Sequence, residues 1–475
     1  MTQNLHEILH QQFGLKSFRG PQEQIIRTVL SQKSALVVMP TGMGKSLTYQ
    51  LPSIMLPGMT LVISPLIALM KDQVDAAQKK GLNAAFINSS LSGGQKREAY
   101  ARLSKGKIKL LYVTPERFRL AEFREALSKN TVSLLAIDEA HCISEWGHDF
   151  RPDYTRVGEF RELMGNPTTL AVTATATPEV QEDIIKQLHL PKEDVKPFIF
   201  GFERENLELD QMDIYGIDQK IQAAVMLLNQ TPGSAIIYFS LIDTLKKFSR
   251  GLDQLNMEHL VYHGQLPDRY RKQNQEDFIS DKSSLILATP AFGLGVDKPN
   301  IRQVIHAEIP GSVEAYYQEV GRAGRDGEKS ICTLLYDQDD VSIQMDFIKW
   351  ANPDPGFIKH VYNLLEDYQE RVWHEGLDFL REKMNFYNRR DFRVETTVNL
   401  LERWDCITRP KHKPQEIITV MPPPEEFLNQ QIYDKRLKRQ NEKLLTLVNY
   451  AQLEDDASRK QFIYDYFGVF EKELP

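Results

Sequence analysis

The sequence predicts an α/β protein with two parallel-sheet domains in tandem, followed by a mainly helical C-terminal region. Two series of short apolar segments alternate with helical patterns, as in sheets whose parallel strands are joined by crossover helices. After Tyr336 the alternation stops and helical patterns predominate. The chain of 475 residues is also longer than one ordinary domain. At about 150 residues per domain, we expect about three domains.

Short apolar runs indicate the strands of the two sheets. The first series comprises residues 35–39, 60–63, 84–87, 108–113, 134–137 and 169–172. The second series comprises residues 234–239, 259–262, 284–288, 303–307 and 331–335. We therefore predict one sheet domain over residues 1–203 and another over residues 204–340, with a hinge around residues 202–209.

The remaining residues predict a different kind of module. Helices are predicted over residues 357–368, 377–384 and 393–403, followed by a short strand at 404–408, an order compatible with a winged helix in a domain spanning 341–410. Residues 411–428 contain four prolines and predict a poorly helical linker. Residues 429–475 predict a basic helix and then a helix rich in tyrosine and phenylalanine.

The composition argues against a membrane-spanning protein and against a protein that is basic over its whole length. Hydrophobic residues make up 41% and charged residues 26%, and apolar stretches such as residues 61–70 are too short to cross a membrane. The net charge of -7 argues against a protein that is basic throughout, so any nucleic-acid site must be a local patch. The first residues lack the pattern of a secretory signal. We therefore expect a cytoplasmic protein without a membrane anchor.

The cysteines do not indicate a structural metal or a disulfide framework. Cys142, Cys332 and Cys406 are far apart in the sequence, whereas a structural zinc site typically needs four ligands in close pairs. We therefore expect no zinc.

A glycine-bearing loop between a strand and a helix predicts a nucleotide site. Glycines let backbone amides approach phosphates, Lys45 is suited to the β- and γ-phosphates, and Ser46 to Mg²⁺. Met39 stands at the position where the simplest P-loop pattern has glycine, so this loop is a variant of that pattern. The alternative is a turn that serves packing alone. The predicted contacts with ATP are Met39, Pro40, Thr41, Gly42, Met43, Gly44, Lys45 and Ser46.

An acidic pair follows the apolar run 134–137, at the strand end where open α/β sheets bind ligands. One carboxylate, Asp138, can hold Mg²⁺, and the next, Glu139, can orient water. Because this pair belongs to the same predicted sheet as the loop, we reject the packing-only interpretation of the loop.

Aromatic and basic side chains follow the acidic pair, as expected of a nucleic-acid site. Trp146, Phe150 and Tyr154 offer faces on which bases can stack, while His148 and Arg151 can contact phosphate or base. An ATPase coupled to a nucleic-acid strand is therefore the predicted activity.

Two arginines near the end of the second sheet domain can complete the nucleotide site. Arg322 and Arg325 are three residues apart on a predicted helix and can face one site together. An arginine that reaches the γ-phosphate from a neighbouring domain neutralises transition-state charge. The alternative is a solvated basic helix end. This arrangement predicts that ATP binds between the two sheet domains and that hydrolysis changes their separation.

In these motifs, from about residue 13 to residue 340, the chain resembles the RecQ family of superfamily-two DNA helicases. Its ending resembles the shortened bacterial RecQ-like form called RecS. Residues 18–22 resemble the family's motif zero with the usual Pro-Gly order reversed. Further matches follow in order at residues 64–66, 72–73, 114–117, 144–152, 173–176, 288–299 and 316–327.

The resemblance implies two RecA-like motor domains, ATP and Mg²⁺, and a DEAH-box helicase that moves 3′ to 5′ on DNA in recombination and repair. It implies that Trp146 and Phe150 sense DNA, and that single-stranded or forked DNA and single-strand-binding or repair proteins are partners. Nucleotide contacts implied in addition are Arg19, Gln22 and Asp297. Coupling residues implied are His141, Thr173, Thr175 and Gln318.

The C-terminal residues depart from the long RecQ form. Residues 458–468 resemble its zinc-binding hairpin, with Ser458 in place of the first cysteine. An RNA helicase and a translocase with little strand separation remain open as alternatives. A regulator with a dead nucleotide site is disfavoured, because Lys45, Glu139 and Arg325 are all present. The arginines at 389, 390 and 393 and the basic run 435–439 are either DNA contacts or solvated helix faces.

Overall fold

A computed structural model describes residues 5–65, 67–144, 151–200, 204–293, 296, 298–384, 391–410, 413 and 416–468. Within these ranges, no helix combines the length and apolar character needed to span a bilayer. The chain forms two compact units, one of which comprises Glu308–Val313 and Tyr336–Gln452. The other comprises Met1–Ala307, Glu314–Leu335 and Leu453–Pro475, and so contains most of both predicted sheet domains.

The helices before residue 321 mostly alternate with the strands of the two sheets. They are α1 (Leu5–Phe13), α2 (Gln22–Leu30), α3 (Leu47–Met55), α4 (Ile67–Lys79), α5 (Gly93–Ser104), α6 (Ala121–Ser128), α7 (Val157–Leu163), α8 (Pro178–Gln187), α9 (Gly216–Gln230), α10 (Ile242–Gln254), α11 (Asp268–Ile279) and α12 (Val313–Val320). The later helices are α13 (Asp340–Ala351), α14 (Pro355–Asp367), α15 (Gln369–Glu375), α16 (Leu377–Lys383), α17 (Arg393–Arg403), α18 (Gln430–Ala451) and α19 (Asp456–Phe467).

The first sheet has the order β3-β4-β2-β5-β6-β1-β7, with parallel pairing throughout its described ladders. Its strands are β1 (Ser34–Val38), β2 (Met59–Ile63), β3 (Ala84–Ile87), β4 (Leu110–Val113), β5 (Val132–Asp138), β6 (Thr168–Thr173) and β7 (Val195–Ile199). Val38 pairs with Thr173, and Asp138 pairs with Val172. The register therefore brings the glycine-bearing loop, the acidic pair and Thr173 to one edge of the sheet.

The second sheet has the order β10-β11-β9-β12-β13-β8, in which β8 is an edge strand. Its strands are β8 (Leu207–Asp213), β9 (Ser234–Tyr238), β10 (Leu260–Tyr262), β11 (Leu285–Ala288), β12 (Ile301–His306) and β13 (Ser330–Tyr336). A cluster of buried apolar side chains, including Ile237, Phe248 and Leu287, packs between this sheet and its helices. The predicted fold class of two parallel-sheet domains is confirmed.

Two strands, β7 and β8, were not predicted from the sequence because they are not continuous apolar runs. β7 contains the exposed residues Lys196 and Pro197. β8 alternates apolar and polar residues, and only Leu207 and Leu209 on it are buried. Both are edge strands, which bury only part of their surface and need fewer apolar residues than central strands.

The other compact unit has its own apolar core, to which Phe357, Val361, Val398 and Leu401 contribute. Helices α14, α16 and α17 match predicted segments, whereas α13 and α15 were not predicted. After α17, β14 (Ile407–Thr408) pairs antiparallel with β15 (Ile418–Thr419).

The segment predicted as a linker is folded in its described part. Ile417 is buried in the core of this unit, and its carbonyl accepts a hydrogen bond of 2.8 Å from Trp373 Nε1. The predicted module 429–475 is divided, since α18 belongs to this unit and α19 to the sheet-containing unit. The sequence could not assign these two helices to different units, because the pattern of a helix does not show which part of the chain it packs on.

Candidate nucleotide site

The glycine-bearing loop joins β1 to α3. Gly42 and Gly44 have φ values of 85° and 75°, in the left-handed region that favours glycine. Lys45 Nζ donates a hydrogen bond of 3.2 Å to the Met39 carbonyl. Burial lowers the pKa of Lys45, while the nearby carboxylates of Glu139 and Asp138 oppose that shift. The loop thus holds its lysine close to the acidic pair.

The acidic pair lies at the end of β5. Burial, and then the charge of Glu139, raise the pKa of Asp138 to about 7, and Lys45 opposes this shift. Glu139 itself adopts a left-handed backbone with φ of 49°. Its Oε2 is buried without a hydrogen-bond partner in the described residues, although His141 Nδ1 lies 3.4 Å away. Because an unpaired buried oxygen is costly, this position suits an additional donor such as water.

Arg325 from the second sheet domain lies against the loop. A Cβ atom added to Gly42 would come within 3.3 Å of Arg325 Cδ, and the charge of Arg325 contributes to lowering the pKa of Lys45. Thr41 Oγ1 donates to the Gly321 carbonyl at 3.3 Å. The loop lysine, the acidic pair and Arg325 are therefore neighbours.

Arg322 occupies a different environment. Its Nη1 donates to the Gly293 carbonyl, and the residue is buried in the second sheet domain. The prediction that both arginines lie on one helix is wrong, whereas the prediction that they face one site stays a prediction. Helix α12 ends at Val320, and a glycine-containing turn carries both arginines. Arg325 Nη1 donates to the Val296 carbonyl at 3.0 Å, three residues after the glycine that Arg322 contacts.

The four predicted coupling residues form one hydrogen-bonded chain. His141 Nδ1 lies 2.8 Å from Thr173 Oγ1. The Thr175 backbone N–H donates to Thr173 Oγ1 at 3.3 Å, and Gln318 Nε2 donates to Thr175 Oγ1 at 3.2 Å. The chain runs from beside the acidic pair to α12 of the second sheet domain.

Gln22 and Arg19, the nucleotide contacts predicted before the glycine-bearing loop, are connected to that loop by hydrogen bonds. Gln22 Nε2 donates to the carbonyls of Met43 at 2.8 Å and Gly44 at 3.2 Å, and Gln22 Oε1 accepts from the Arg19 backbone at 2.9 Å. The side chain of Gln22 is thus bonded to the loop on one side and to Arg19 on the other.

The predicted nucleic-acid contacts are only partly described. Trp146, His148 and Phe150 lie outside the described residues, as do Asp297 and the arginines at 389 and 390. Arg151 Nη1 donates to the Pro65 carbonyl at 3.1 Å.

The prediction that Tyr154 offers a stacking face is wrong. The side chain is completely buried, and burial raises its pKa well above the usual value. Tyr154 belongs to a short helical turn, Pro152–Arg156, that packs on the turns Pro115–Arg119 and Ala140–Ile143. Aromatic content alone could not distinguish this core position from an exposed one.

Sequence reasoning also missed supporting residues of the site. The Ser64 hydroxyl forms a hydrogen bond that favours ionised Asp138, and the Gly293 carbonyl holds Arg322. Ser64 belongs to one of the motifs that resemble the family, but nothing in its local sequence signals a contact with Asp138. Both contacts join residues that are distant along the chain.

No group of three or more His, Cys, Asp or Glu side chains suited to a metal ion occurs in the described part of the chain. Cys142, Cys332 and Cys406 are each buried, and none of them forms a disulfide bond with another described cysteine. The backbone N–H of Ser458 donates to Asp455 Oδ1 at 2.7 Å, so Ser458 belongs to the capped first turn of α19.

Comparison with known proteins identifies both sheet domains. The DEAD/DEAH box helicase family matches residues 19–184, and the helicase conserved C-terminal domain matches residues 219–327. The ATP-dependent DNA helicase RecQ of Bacillus subtilis is 46% identical over 349 residues, which cover 72% of this chain and 58% of that protein. The probable ATP-dependent DNA helicase RecS of the same organism is 38% identical over 369 residues, covering 77% and 74%. The chain thus spans somewhat over half of the RecQ relative.

A solved structure supports the fold alone. The crystal structure of the DUF1998 helicase MrfA bound to DNA has a TM-score of 0.59 and 16% identity, covering 72% of this chain and 49% of that one.

Proposed function

This chain belongs to the RecQ family of helicases, and from that premise we propose that it is an ATP-dependent DNA helicase moving 3′ to 5′ on a single strand. Its role would be to separate duplexes during DNA recombination or repair. The observation that carries the proposal is the proximity of Lys45, the acidic pair and Arg325, joined across two domains by the chain of coupling residues.

The residues present fit a nucleoside triphosphate with Mg²⁺. The left-handed glycines expose backbone amides, Lys45 would bind the terminal phosphates, and Ser46 and Asp138 would hold Mg²⁺. Bound Mg²⁺ would neutralise phosphate charge during transfer. The unpaired Glu139 Oε2 would orient the attacking water, and Arg325 would contact the γ-phosphate.

Base contacts would come from the loop after the acidic pair. We propose that Trp146 and Phe150 stack on single-stranded DNA, with His148 and Arg151 contacting phosphate or base. This loop directly follows the segment that contains His141, the first member of the coupling chain. A change in the loop on binding DNA would therefore reach Glu139 over a few residues.

The coupling chain makes a direct prediction. Replacing Thr175 with valine removes the hydroxyl that accepts from Gln318, so DNA-stimulated ATP turnover should fall about tenfold while ATP affinity changes by less than about twofold. Thr175→Ser keeps the hydroxyl and is the matched control, which should retain stimulation. Steady-state kinetics with and without single-stranded DNA measures the effect. Equal stimulation in both variants would contradict the coupling role.

The proposed activity is tested on forked substrates. Wild-type protein should separate a DNA fork with a 3′ tail when ATP is present, and Lys45→Ala should not. A fork with only a 5′ tail and the matching RNA fork are the controls for direction and for nucleic-acid type. ATP turnover without separation would favour a translocase, and faster separation of the RNA fork would favour an RNA helicase.

We further infer that the protein works without structural zinc. Elemental analysis of purified protein should find much less than one zinc per chain, and chelators should leave thermal unfolding unchanged. One zinc per chain together with chelator-induced unfolding would contradict the inference. The cytoplasmic location and the single-strand-binding or repair partners expected from the sequence remain predictions.

A further inference from the structure

We propose that α19 is a positioning element of the ATPase, which holds α12 and the turn bearing Arg325 in place at the nucleotide site. The proposal rests on the ATPase described above but concerns residues that the sequence assigned to a zinc-hairpin remnant. Phe467 and Arg459 are the positioning residues.

Helix α19 is fixed to the second sheet by its first turn. Asp456 Oδ1 accepts from the Leu209 backbone N–H at 2.7 Å, and Arg459 Nη1 donates to the Leu209 carbonyl at 3.2 Å. Leu209 lies on the edge strand β8, so two side chains of α19 satisfy both of its backbone groups.

Arg459 makes this docking specific. The residue is only 3% exposed, and its Nη2 also donates to the Leu453 carbonyl at 2.7 Å. Burying a guanidinium costs free energy unless it is hydrogen-bonded. If α19 were displaced from β8, the Arg459 guanidinium would lose its bond to the Leu209 carbonyl, and that carbonyl would lose its donor. The helix is therefore held in one register on β8.

The other end of α19 packs on α12. The ring centroids of Phe467 and Tyr317 are 5.3 Å apart. The cavity enclosed by α12, α19 and β8, bordered by Val320, Ile463 and Leu209 among others, has a volume of about 20 Å³, enough for about one water molecule. Helix α19 thus packs against the Tyr317 and Val320 side of α12.

Three sides of α12 have three different contacts. Gln318 bonds to Thr175 of the first sheet domain, and Glu319 Oε2 lies 2.7 Å from His306 Nε2 inside the second. Tyr317 completes the set by facing α19. Since the turn that carries Arg325 continues directly from α12, the contact with α19 helps to set the position of that arginine.

Helix α19 also reaches the first sheet domain. Gly468 ends the helix with φ of 70°, and a Cβ atom added there would lie 2.6 Å from Pro178 Cγ. Pro178 begins α8, three residues after Thr175. The end of α19 therefore contacts Tyr317, which is next to Gln318, and Pro178, which lies three residues after Thr175.

The test compares Phe467→Ala with Phe462→Ala in the full chain. Phe462 is a half-buried phenylalanine of the same helix, whereas Phe467 is fully buried and in ring contact with Tyr317. Phe467→Ala should lower kcat for DNA-stimulated ATP hydrolysis about fivefold to tenfold, with nucleotide affinity within about twofold of wild type. It should also speed amide hydrogen exchange over residues 313–325, and Phe467→Tyr should restore both properties.

The outcomes separate this inference from the proposed function. Unchanged exchange over residues 313–325 in Phe467→Ala overturns the inference, as does faster exchange with unchanged kcat or an equal effect in Phe462→Ala. A wild-type protein without DNA-stimulated ATPase overturns the proposed function, and the exchange data then decide alone whether α19 holds α12.

Discussion

Glu139→Gln is expected to lower ATP turnover by about 10²- to 10⁴-fold while ATP affinity stays within about twofold. Glutamine preserves the shape of the side chain but removes the carboxylate that would orient the attacking water. Glu139 Oε2 is buried beside Lys45 and Asp138 and has no hydrogen-bond partner in the described structure, which leaves it available for this role. Single-turnover kinetics and equilibrium nucleotide binding measure the two effects separately.

The matched control is Glu159→Gln, the same chemical change at an exposed position of α7. That variant should turn over ATP at the wild-type rate. Lys45→Ala provides the opposite contrast, since it should weaken nucleotide binding as well as turnover. Near-normal turnover in Glu139→Gln would reject the assigned role and with it the proposed catalytic pair.

The sequence predicts those parts of the site whose residues are consecutive in short motifs. The loop around Lys45 and the acidic pair each follow a buried strand, and parallel strands present their carboxyl ends at one edge. Continuous apolar runs mark the central strands because those strands are buried on both faces. The strand order could not be obtained this way, since it depends on which runs pair.

The parts that were missed depend on contacts between distant residues. Tyr154 has the composition of a stacking residue, but the turns packed around it make it a core residue. Arg459 on a polar helix is buried where it donates a hydrogen bond to the carbonyl of Leu209, which is 250 positions away in the sequence. Helix α12 ends before Arg322 because glycines at 321 and 324 favour turns, a boundary that residue spacing alone did not reveal.

The two arginines make different contacts, since only Arg325 is shown against the loop at Gly42, and this predicts different consequences for each. Arg325→Ala should lower kcat for ATP hydrolysis by about 10³-fold with little change in thermal unfolding, since the side chain lies at the loop and would neutralise γ-phosphate charge. Arg325→Lys should recover only part of the rate, because an ammonium lacks the planar fork of a guanidinium. Arg250→Ala, at an exposed position of α10, is the control and should be neutral.

Arg322→Gln should act mainly on stability. Its guanidinium is buried and bonded to the Gly293 carbonyl, so the loss should lower the midpoint of thermal unfolding by about 2 to 4 °C. Any fall in ATP turnover should be much smaller than in Arg325→Ala, because Arg322 would act on the nucleotide only by supporting the loop around Gly293. Differential scanning fluorimetry measures the unfolding midpoint of the two variants, and steady-state kinetics measures their ATP turnover. Equal losses of turnover with unchanged unfolding would mean that both guanidinium groups reach the phosphates once ATP is bound, as the spacing of the two arginines first predicted.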